Sequence, residues 1–498
     1  MFIPEKKIER KEKMIVVGGG TAGLVAARRL SSMYDVEVFE RSKFKSLPLL
    51  NRIPLMVGLL FRKSNRYIEK VELQGPGNRK VPFFVSNVLG GSSAMNGCVH
   101  VFGDKKIWSK ILRKFCIDEE DLDASYQELF SKKPNGHGMS LDVAPAAKID
   151  LAFVDALAGK GIRKGETEFA DAPNVGPIVN TVHRFFRSSV LSLLKAKKFK
   201  IRLETKVDCL AIDGDRRVVG VVSNGKIFPA SRVTLCAGVA GTNELLMTKA
   251  LDVSSGQLVD LQLPVGYGIT DHVNLRIDVT APFPINSLNE IASSFLKKTL
   301  VLVGYMLGKR NLMMGTGATS AGNLDLDGDG IVDTRINLLR FYESGRTGAG
   351  LFSSFDPGFA ISITMINPHS RGKAEYKNGN VTITPGYLND DNDVDFLQKA
   401  VLFCLDLLNT EHMSPYVKEI IFHEEIRNNI KSFIKKHSFS GYHLRGGCAD
   451  LVDSDFSVKS MSGLYICDAS ILDEFPASNI HAPVVILADL FSKKFLLQ

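Results

Sequence analysis

The hydrophobic and polar positions near the start of the chain predict a strand, a tight turn and a helix. Residues 14–17 are apolar, three glycines follow, and residues 24–30 carry apolar side chains at helical spacing. A second apolar run, DVEVFER, begins at Asp35. The pattern therefore predicts a βαβ unit with a buried sheet.

Later segments combine sheet and helix patterns. Residues 199–238 alternate polar and apolar positions, with turns at DGDRR and SNGK, and predict a three-stranded meander. Residues 236–250 predict a second strand, glycine turn and helix. Residues 276–438 mix strands with helices, so we expect a separate unit inserted in the chain.

The composition narrows the functional classes. A chain of 498 residues is too long for one small core and predicts two or three structural units. The net charge of +8 is scattered without a dense basic block, so nucleic-acid binding is not indicated. Seven cysteines without a C-x-x-C pair predict reduced thiols, no metal cluster and an intracellular setting. The charged opening MFIPEKKIERKEK lacks the apolar core of a signal peptide, so a cytoplasmic location is expected.

Two apolar patches interrupt the mixed pattern, at residues 46–64 and 293–310. Both are too short, or too interrupted by charge and proline, to span a bilayer. We expect them to line a core or an apolar entrance to a pocket, with docking on a membrane surface as the alternative.

The segment LDLDGDGIVDTRI resembles the first half of an EF-hand calcium loop. Asp325, Asp327, Asp329 and Gly330 match that half, but the twelfth position is Ile336, which cannot supply a bidentate carboxylate. A polar hairpin turn is favoured over a calcium loop, and no metal site is expected.

Glycines in the first turn have the spacing G-x-G-x-x-G at Gly18, Gly20 and Gly23. Glycine lets the backbone bend and lets a pyrophosphate approach the N-terminus of the helix, where free N–H groups favour negative charge. Glu40 follows at the separation of ~20 residues expected for an acid that holds the adenosine ribose. Dinucleotide binding is predicted, but this motif alone does not separate NAD from FAD.

Six segments, taken together and in this order, resemble the glucose–methanol–choline (GMC) family of flavin oxidoreductases. They are the glycine motif with Glu40, LGGSSAMNG, CAGVAGTNELLM, LPVGYGITDH, PHSRGKAEY with PGYLNDDND, and GYHLRGGC followed by SGLYICDASILDEFPASNIHAPVVILAD. The resemblance covers most of the chain and implies an α/β fold (α+β overall), with a Rossmann-like FAD-binding domain and an inserted sheet-and-helix substrate-binding domain. The expected FAD-binding domain comprises residues 14–110, 185–275 and 440–498, and the expected cap comprises residues 111–184 and 276–439.

The same resemblance implies that the chain binds FAD without a covalent bond, because Met95 stands where some members carry a histidine bonded to the flavin. The residues that it implies for FAD binding are Gly18, Gly20, Thr21, Ala22, Gly23, Glu40, Arg41, Gly90, Gly91, Ser92, Met95, Asn96, Gly97, Val207, Cys236, Ala237, Gly238, Asp468, Ala469 and His481.

Catalysis is expected from the C-terminal segment. His443 occupies the position of the family's catalytic histidine, and an imidazole can accept the hydroxyl proton and then stabilise the developing carbonyl oxygen. Members of this family place a second histidine or an asparagine at a fixed distance before a final AE-like pair. Counted back from Ala488 and Asp489, the resemblance implies Asn479 as the partner of His443, and His481 replaces it if the loop register slips. A further histidine, His272 in the segment TDH, is expected to hold a loop.

The resemblance implies an FAD-dependent alcohol oxidase or dehydrogenase that transfers a hydride to flavin N5 and is reoxidised by oxygen or another, quinone-like acceptor. The apolar patches, and the absence of an aromatic cluster around the single Trp108, favour a hydrophobic or aromatic alcohol over a hexose. One alternative is a hydroxynitrile lyase that keeps FAD structurally. A fatty-acid photodecarboxylase is a weaker one, because relatives of that kind lose the histidine retained here at position 443.

Overall fold

The computed structural model describes residues 11–62, 65–132, 138–194, 198–343, 354–377 and 379–497. Within these residues the chain forms eleven α-helices and twenty-eight β-strands. The helices are α1 (Thr21–Leu30), α2 (Lys105–Lys114), α3 (Glu119–Leu129), α4 (Lys148–Gly159), α5 (Gly238–Met247), α6 (Leu288–Ala292), α7 (Phe295–Met306), α8 (Asp391–Leu408), α9 (His423–Asn428), α10 (Ile430–His437) and α11 (His481–Leu496). The strands are β1 (Lys13–Val17), β2 (Asp35–Phe39), β3 (Ile68–Gln74), β4 (Lys80–Ser86), β5 (Phe130–Ser131), β6 (Met139–Val143), β7 (Arg163–Lys164), β8 (Asn174–Pro177), β9 (Val179–His183), β10 (Phe186–Arg187), β11 (Lys200–Arg202), β12 (Cys209–Ile212), β13 (Val218–Ser223), β14 (Lys226–Pro229), β15 (Arg232–Leu235), β16 (Ala250–Asp252), β17 (Gln257–Val259), β18 (Tyr267–Thr270), β19 (Val273–Thr280), β20 (Ala318–Leu324), β21 (Thr334–Leu339), β22 (Gly358–Met365), β23 (Gly372–Lys377), β24 (Asn380–Thr384), β25 (Glu419–Ile420), β26 (Phe439–Ser440), β27 (Arg445–Gly447) and β28 (Leu464–Ile466).

The fold is mixed α/β, and the predicted βαβ unit lies in a parallel five-stranded sheet. Its strand order is β11-β2-β1-β15-β28, with all neighbouring pairs parallel. The inner strand β1 is almost entirely buried, which explains its continuous apolar run. Because parallel strands end at the same edge, the loops after β1, β2, β15 and β28 meet there.

The predicted meander is confirmed by β12, β13 and β14, which pair antiparallel in sequence order. They belong to a second five-stranded sheet that also contains β16 and β17. The flanking strands β11 and β15, which the same sequence pattern included, lie instead in the parallel sheet.

The largest sheet has eight strands in the order β25-β19-β22-β21-β20-β8-β7, with β26 paired to β19. It joins strands from both segments expected to form the cap. A four-stranded sheet, β24-β23-β18-β27, connects residues of the expected cap to residues of the expected FAD-binding domain. The division of the chain into two domains stays a prediction.

The C-terminal helix α11 packs against α1 at the start of the chain. Asp489 on α11 is fully buried, and its Oδ1 lies 2.6 Å from Nε of Arg29 on α1. Ser125 on α3 donates a hydrogen bond to the other carboxylate oxygen of Asp489 at 2.9 Å. These contacts fix the orientation of α11, and His481 is its first residue.

The two apolar patches meet in one cluster. Ile53 from the first patch packs with Tyr305 of α7 and with Met313 and Met314, which follow the second patch. Several other apolar side chains of α7 remain exposed, and Phe295 is 84% accessible. In the described part of the chain, none of the helices combines the length and apolar composition needed to cross a membrane.

All seven cysteines are free thiols, and Cys116 is exposed while the other six are buried. Burial raises the pKa of Cys448 and of Cys404 above the ordinary thiol value. These buried side chains are therefore packed, protonated groups.

The aspartate-rich segment at residues 325–333 connects β20 to β21. The two strands pair antiparallel, with Leu324 opposite Thr334. The prediction of a polar hairpin turn is thus confirmed.

Candidate active site

The first glycine turn is shaped by close backbone contacts. A Cβ on Gly23 would lie 1.9 Å from the carbonyl oxygen of Gly18, so the helix can begin this close to β1 only with glycine here. Gly20 is the N-cap of α1, and no side chain caps the helix. The first turn, with Thr21 and Ala22, also contains no acidic residue. The N-terminal amides of α1 are therefore suited to an anionic group.

Glu40 lies directly after β2 and faces this turn. Its Oε2 accepts a hydrogen bond from the amide of Gly19 at 2.8 Å, and its Oε1 accepts one from the amide of Ser42 at 2.7 Å. Burial raises the pKa of Glu40. The neighbouring Arg41 is exposed and lies 3.7 Å from Glu69. Each oxygen of Glu40 keeps a free lone pair, so the carboxylate can also accept hydrogen bonds from hydroxyl groups.

A second glycine segment lies against the first. The amide of Gly90 donates to the carbonyl of Gly19 at 2.8 Å. A Cβ on Gly91, which has φ +59°, would lie 2.8 Å from Cα of Gly20. Ser92 follows, and its hydroxyl oxygen lies 3.5 Å from that of Thr21. Residues that the sequence separates by about seventy positions therefore form one glycine-lined surface.

The remaining residues of this segment lead away from the turn. Met95 is buried in an apolar cluster, and the amide oxygen and carbonyl of Asn96 both accept from Nη1 of Arg187. Gly97 lies beside Thr316, whose hydroxyl donates to its carbonyl at 3.3 Å. The segment thus connects the glycine surface to residues of the expected cap.

The third glycine turn is joined to the C-terminal segment. Asp468 accepts hydrogen bonds from the amide of Gly238 at 2.9 Å and from the hydroxyl of Thr242 at 2.6 Å. Its other oxygen accepts from the amide of Ser470 at 2.8 Å. Three further predicted residues, Cys236, Ala469 and Val207, are buried, whereas Ala237 is partly exposed.

These features fit FAD. A Cβ on Gly20 would find only Cα of Gly91, at 3.9 Å, and a Cβ on Gly238 would find no atom within 4 Å. Open space therefore lies beside an uncapped helix N-terminus and a buried carboxylate, which is the combination that a dinucleotide requires.

The candidate catalytic histidine forms a hydrogen bond with a second histidine. Nδ1 of His443 lies 2.9 Å from Nδ1 of His272. The backbone amide of His443 donates to Asp271 at 2.7 Å, and the same carboxylate accepts from Tyr387 and Ser440. Burial raises the pKa of Asp271 to about 6 and lowers the pKa of His272. His272 is therefore a direct contact of His443, and the expectation that it only holds a loop is too narrow.

A third histidine lies close to this pair. Burial, followed by the charge of His481, lowers the pKa of His443 to about 4. Burial lowers the pKa of His481 to about 4 as well, and Arg187 contributes to that shift. His481 is 9% exposed, and both of its ring nitrogens lack a hydrogen-bond partner within the described residues. Both imidazoles are thus neutral at neutral pH, and that of His481 has unused polar atoms.

Asn479, the first choice of partner for His443, is partly exposed and lies outside α11. Its side chain forms no hydrogen bond to either histidine in the part of the chain that the structure describes. The charge of His481 reaches His443, and the choice between His481 and Asn479 as its partner stays a prediction.

Two arginines near the site were not among the predicted residues. Nε and Nη2 of Arg187 are buried without a hydrogen-bond partner in the described residues, beside Asn96 and His481. Arg445 is 2% exposed and its guanidinium lies 4.5 Å above the ring of Phe475, which also contacts His272. Arg187 lies in the sequence RFFRSS, which matches no functional motif, so only the structure could identify it.

Comparisons with known proteins show similarity to flavin-dependent alcohol oxidoreductases. Residues 368–488 match the family model described as GMC oxidoreductase. An alcohol dehydrogenase [acceptor] of Pseudomonas putida is 26% identical over 95% of this chain and 94% of its own length. An oxygen-dependent choline dehydrogenase of Staphylococcus saprophyticus is 23% identical over 95% of this chain and 93% of its own length. The crystal structure of pyridoxine 4-oxidase from Mesorbium loti has 18% identity and a TM-score of 0.81, over 98% of this chain and all of the other.

Proposed function

The chain belongs to the GMC family of flavin-dependent alcohol oxidoreductases, and on that premise we propose that it oxidises a hydrophobic alcohol, with His443 as the base. The observation that carries the proposal is the cluster of His443, His272 and His481, buried and uncharged at neutral pH.

FAD, when bound, supplies the acceptor for the hydride that leaves the alcohol carbon. The glycine surface and the N-terminus of α1 would hold its pyrophosphate, and Glu40 would hold the adenosine ribose. The absence of a histidine at Met95 supports non-covalent binding.

His443 can receive the hydroxyl proton because its ring is neutral. A neutral imidazole has one nitrogen with a proton and one without, and only the second can act as a base. With its pKa lowered to about 4, the ring of His443 is uncharged above that pH. After proton transfer its positive charge would stabilise the oxygen of the forming carbonyl group.

His272 decides which nitrogen of His443 is free. If Nδ1 of His443 donates to Nδ1 of His272, then Nε2 of His443 has no proton and can accept one. The opposite direction would leave a proton on Nε2 and disable the base. We assign the first arrangement, because it also persists when His443 becomes doubly protonated.

His481 would orient the alcohol oxygen as the second polar group. Its two buried nitrogens have no protein partner among the described residues, so a substrate oxygen would satisfy one of them. Two groups that fix one oxygen restrict the alcohol to the reactive orientation.

The apolar cluster supports a hydrophobic substrate. Phe185 and Phe186 pack against Ile53 and Met313 and directly precede Arg187, whose charge reaches His481. An alcohol with an alkyl or aromatic body would bury that body here and place its oxygen at the histidines.

Anaerobic mixing of the yellow holoenzyme with alcohol tests the reaction. The flavin absorbance should bleach with the native chain and with the exposed control His412→Ala. In His443→Ala the rate of bleaching should fall at least ~100-fold, the low end of general-base contributions. FAD should stay bound in this variant. Equal bleaching in His443→Ala, or cleavage of a cyanohydrin without bleaching, would contradict the proposal. Repeating the oxidative half-reaction with oxygen and with a soluble quinone identifies the acceptor.

A series of primary alcohols tests the substrate class. Each added CH₂ that is buried should raise kcat/KM roughly fourfold, from about 0.8 kcal/mol of transfer free energy. A preference for glucose over the longer alcohols would contradict the apolar entrance.

A further inference from the structure

The hairpin loop between β20 and β21 brings three carboxylates together. Asp325, Asp327 and Asp333 each place one oxygen so that all three oxygens lie within 4.8 Å of one another. Like charges at this distance repel one another unless a cation lies between them.

Within the described ranges, neither these three aspartates nor Asp329 forms an ion pair with a lysine or arginine. The nearby Lys106 donates instead to the carbonyl of Gly330, at 3.5 Å. Among the described residues, the loop therefore carries several carboxylates with a single lysine beside them.

Asp333 gives an independent indication of a ligand. It is 9% exposed, and its Oδ2 accepts from the amides of Leu326 at 2.9 Å and Asp327 at 3.0 Å, so the carboxylate points into the loop. Its Oδ1 is buried and has no partner of good hydrogen-bond geometry among the described residues, although the hydroxyl of Thr334 lies beside the carboxylate. A buried carboxylate oxygen without a partner is unfavourable, and a bound cation would satisfy it.

The loop backbone is already folded around the carboxylates. Asp325 accepts hydrogen bonds from the amides of Gly328 at 2.6 Å and Gly330 at 2.9 Å. Gly330, at the sixth position counted from Asp325, has φ +84°, the left-handed conformation that gives the sharp turn of a calcium loop.

The spacing agrees with oxygen ligation. Asp325, Asp327, Asp329 and Asp333 occupy positions one, three, five and nine, and EF-hand loops take ligands from these positions and from the carbonyl at position seven. Ile336, at the twelfth position, is buried in β21. The hairpin thus has no twelfth-position carboxylate, and water can complete the coordination.

The sequence alone favours a turn without a metal, but on these contacts we propose that this loop binds one Ca²⁺ ion through the carboxylates of Asp325, Asp327 and Asp333. Ca²⁺ accepts six to eight oxygen ligands in a flexible geometry, whereas Mg²⁺ requires a near-ideal octahedron that an open hairpin does not provide. The ion fastens the turn between two central strands of the eight-stranded sheet. The proposal is independent of the alcohol chemistry.

Calorimetric titration of CaCl₂ into the EGTA-treated holoenzyme tests the site. We expect one ion per chain with a dissociation constant of about 10⁻⁵ to 10⁻³ M, weaker than a complete EF-hand buffer site. At about 100-fold excess over that constant, the melting temperature should rise by about 2 °C or more. Mg²⁺ at the same concentration should leave it unchanged.

Asp327→Asn should abolish both the binding heat and the rise in melting temperature. This residue is exposed, so the variant should fold without the ion. The matched control is Asp215→Asn in the DGDRR turn, which also changes an exposed aspartate beside a glycine and should bind Ca²⁺ like the native chain. Absence of binding up to about 10 mM Ca²⁺, equal binding in Asp327→Asn, or equal binding of Mg²⁺ would overturn the proposal.

Discussion

His272 and His443, 171 residues apart in sequence, are joined by one hydrogen bond of 2.9 Å between their Nδ1 atoms. Their rings meet edge to face, with centroids 4.9 Å apart. Asp271, the residue before His272, binds the backbone amide of His443. One dipeptide therefore fixes both the backbone and the ring of the proposed base.

Replacing His272 by alanine should slow flavin reduction at least about tenfold, because His443 would lose the acceptor that keeps the proton on Nδ1. His272→Asn should recover part of the rate, since the amide oxygen can accept the same hydrogen bond. The measurement is the anaerobic bleaching rate across pH 5 to 9, together with the melting temperature.

A purely structural role for His272 gives a different result. In that case the asparagine and alanine variants would lose rate in proportion to their lost stability, without recovery by the amide. Equal rates in the two variants at equal melting temperatures would rule out the positioning role.

The choice between His481 and Asn479 can be made by two matched substitutions. His481→Ala should lower kcat at least about tenfold, because a group that orients the reacting oxygen is lost. It should also raise the pKa of His443, since the charge of His481 lowers that pKa in the native chain, and so move the acid limb of the kcat/KM profile to higher pH. Asn479→Ala should change kcat by no more than about twofold and should leave the acid limb of the kcat/KM profile in place. A larger loss in Asn479→Ala than in His481→Ala would identify Asn479 as the partner.

Acid should destabilise the folded protein through the buried histidines. The pKa of His481 is about 4 when folded and 6.5 when exposed, so the unfolded chain binds more protons between these values. Stability present above pH 6.5 is therefore lost as the pH falls towards 4. Asp271, whose pKa is raised, contributes the opposite slope between its ordinary value and about 6.

The contribution of His481 can be isolated by urea unfolding of the holoenzyme at pH 7 and pH 5. Native protein should lose roughly 1–2 kcal/mol more than His481→Asn over this interval. The exposed control His412→Asn should behave like the native chain. Identical losses in all three proteins would contradict a buried, neutral His481.

Gly20→Ala should weaken FAD binding without unfolding the protein. A Cβ at this position meets only Cα of Gly91, at 3.9 Å, but it extends into the space at the start of α1. The dissociation constant for FAD should rise about tenfold or more, the equivalent of one hydrogen bond to a charged group. Gly159→Ala, at an exposed helix end with no atom within 4 Å of the added Cβ, is the control. Unchanged FAD affinity in Gly20→Ala would place the pyrophosphate elsewhere.

Some of the site could be predicted from sequence because its chemistry depends on local spacing. Gly18, Gly20 and Gly23 lie within one turn, and the close approach of Gly23 to the carbonyl of Gly18 follows from their spacing. The contact between His272 and His443 could not be predicted, because a hydrogen bond across 171 residues leaves no mark on either local sequence. The same holds for Arg187, which no local pattern distinguishes from other surface arginines.

The sequence by itself determined the βαβ start, the meander of β12 to β14, the glycine turn and the position of one candidate base, because each rests on residues that are near one another along the chain. Only the tertiary structure decided that His272 binds the candidate base, that the charge of His481 reaches it, and that Asp333 points into the hairpin loop. These outcomes depend on how helix α11 and distant strands pack. A side chain's partners are set by that packing, whereas the local sequence sets only its element.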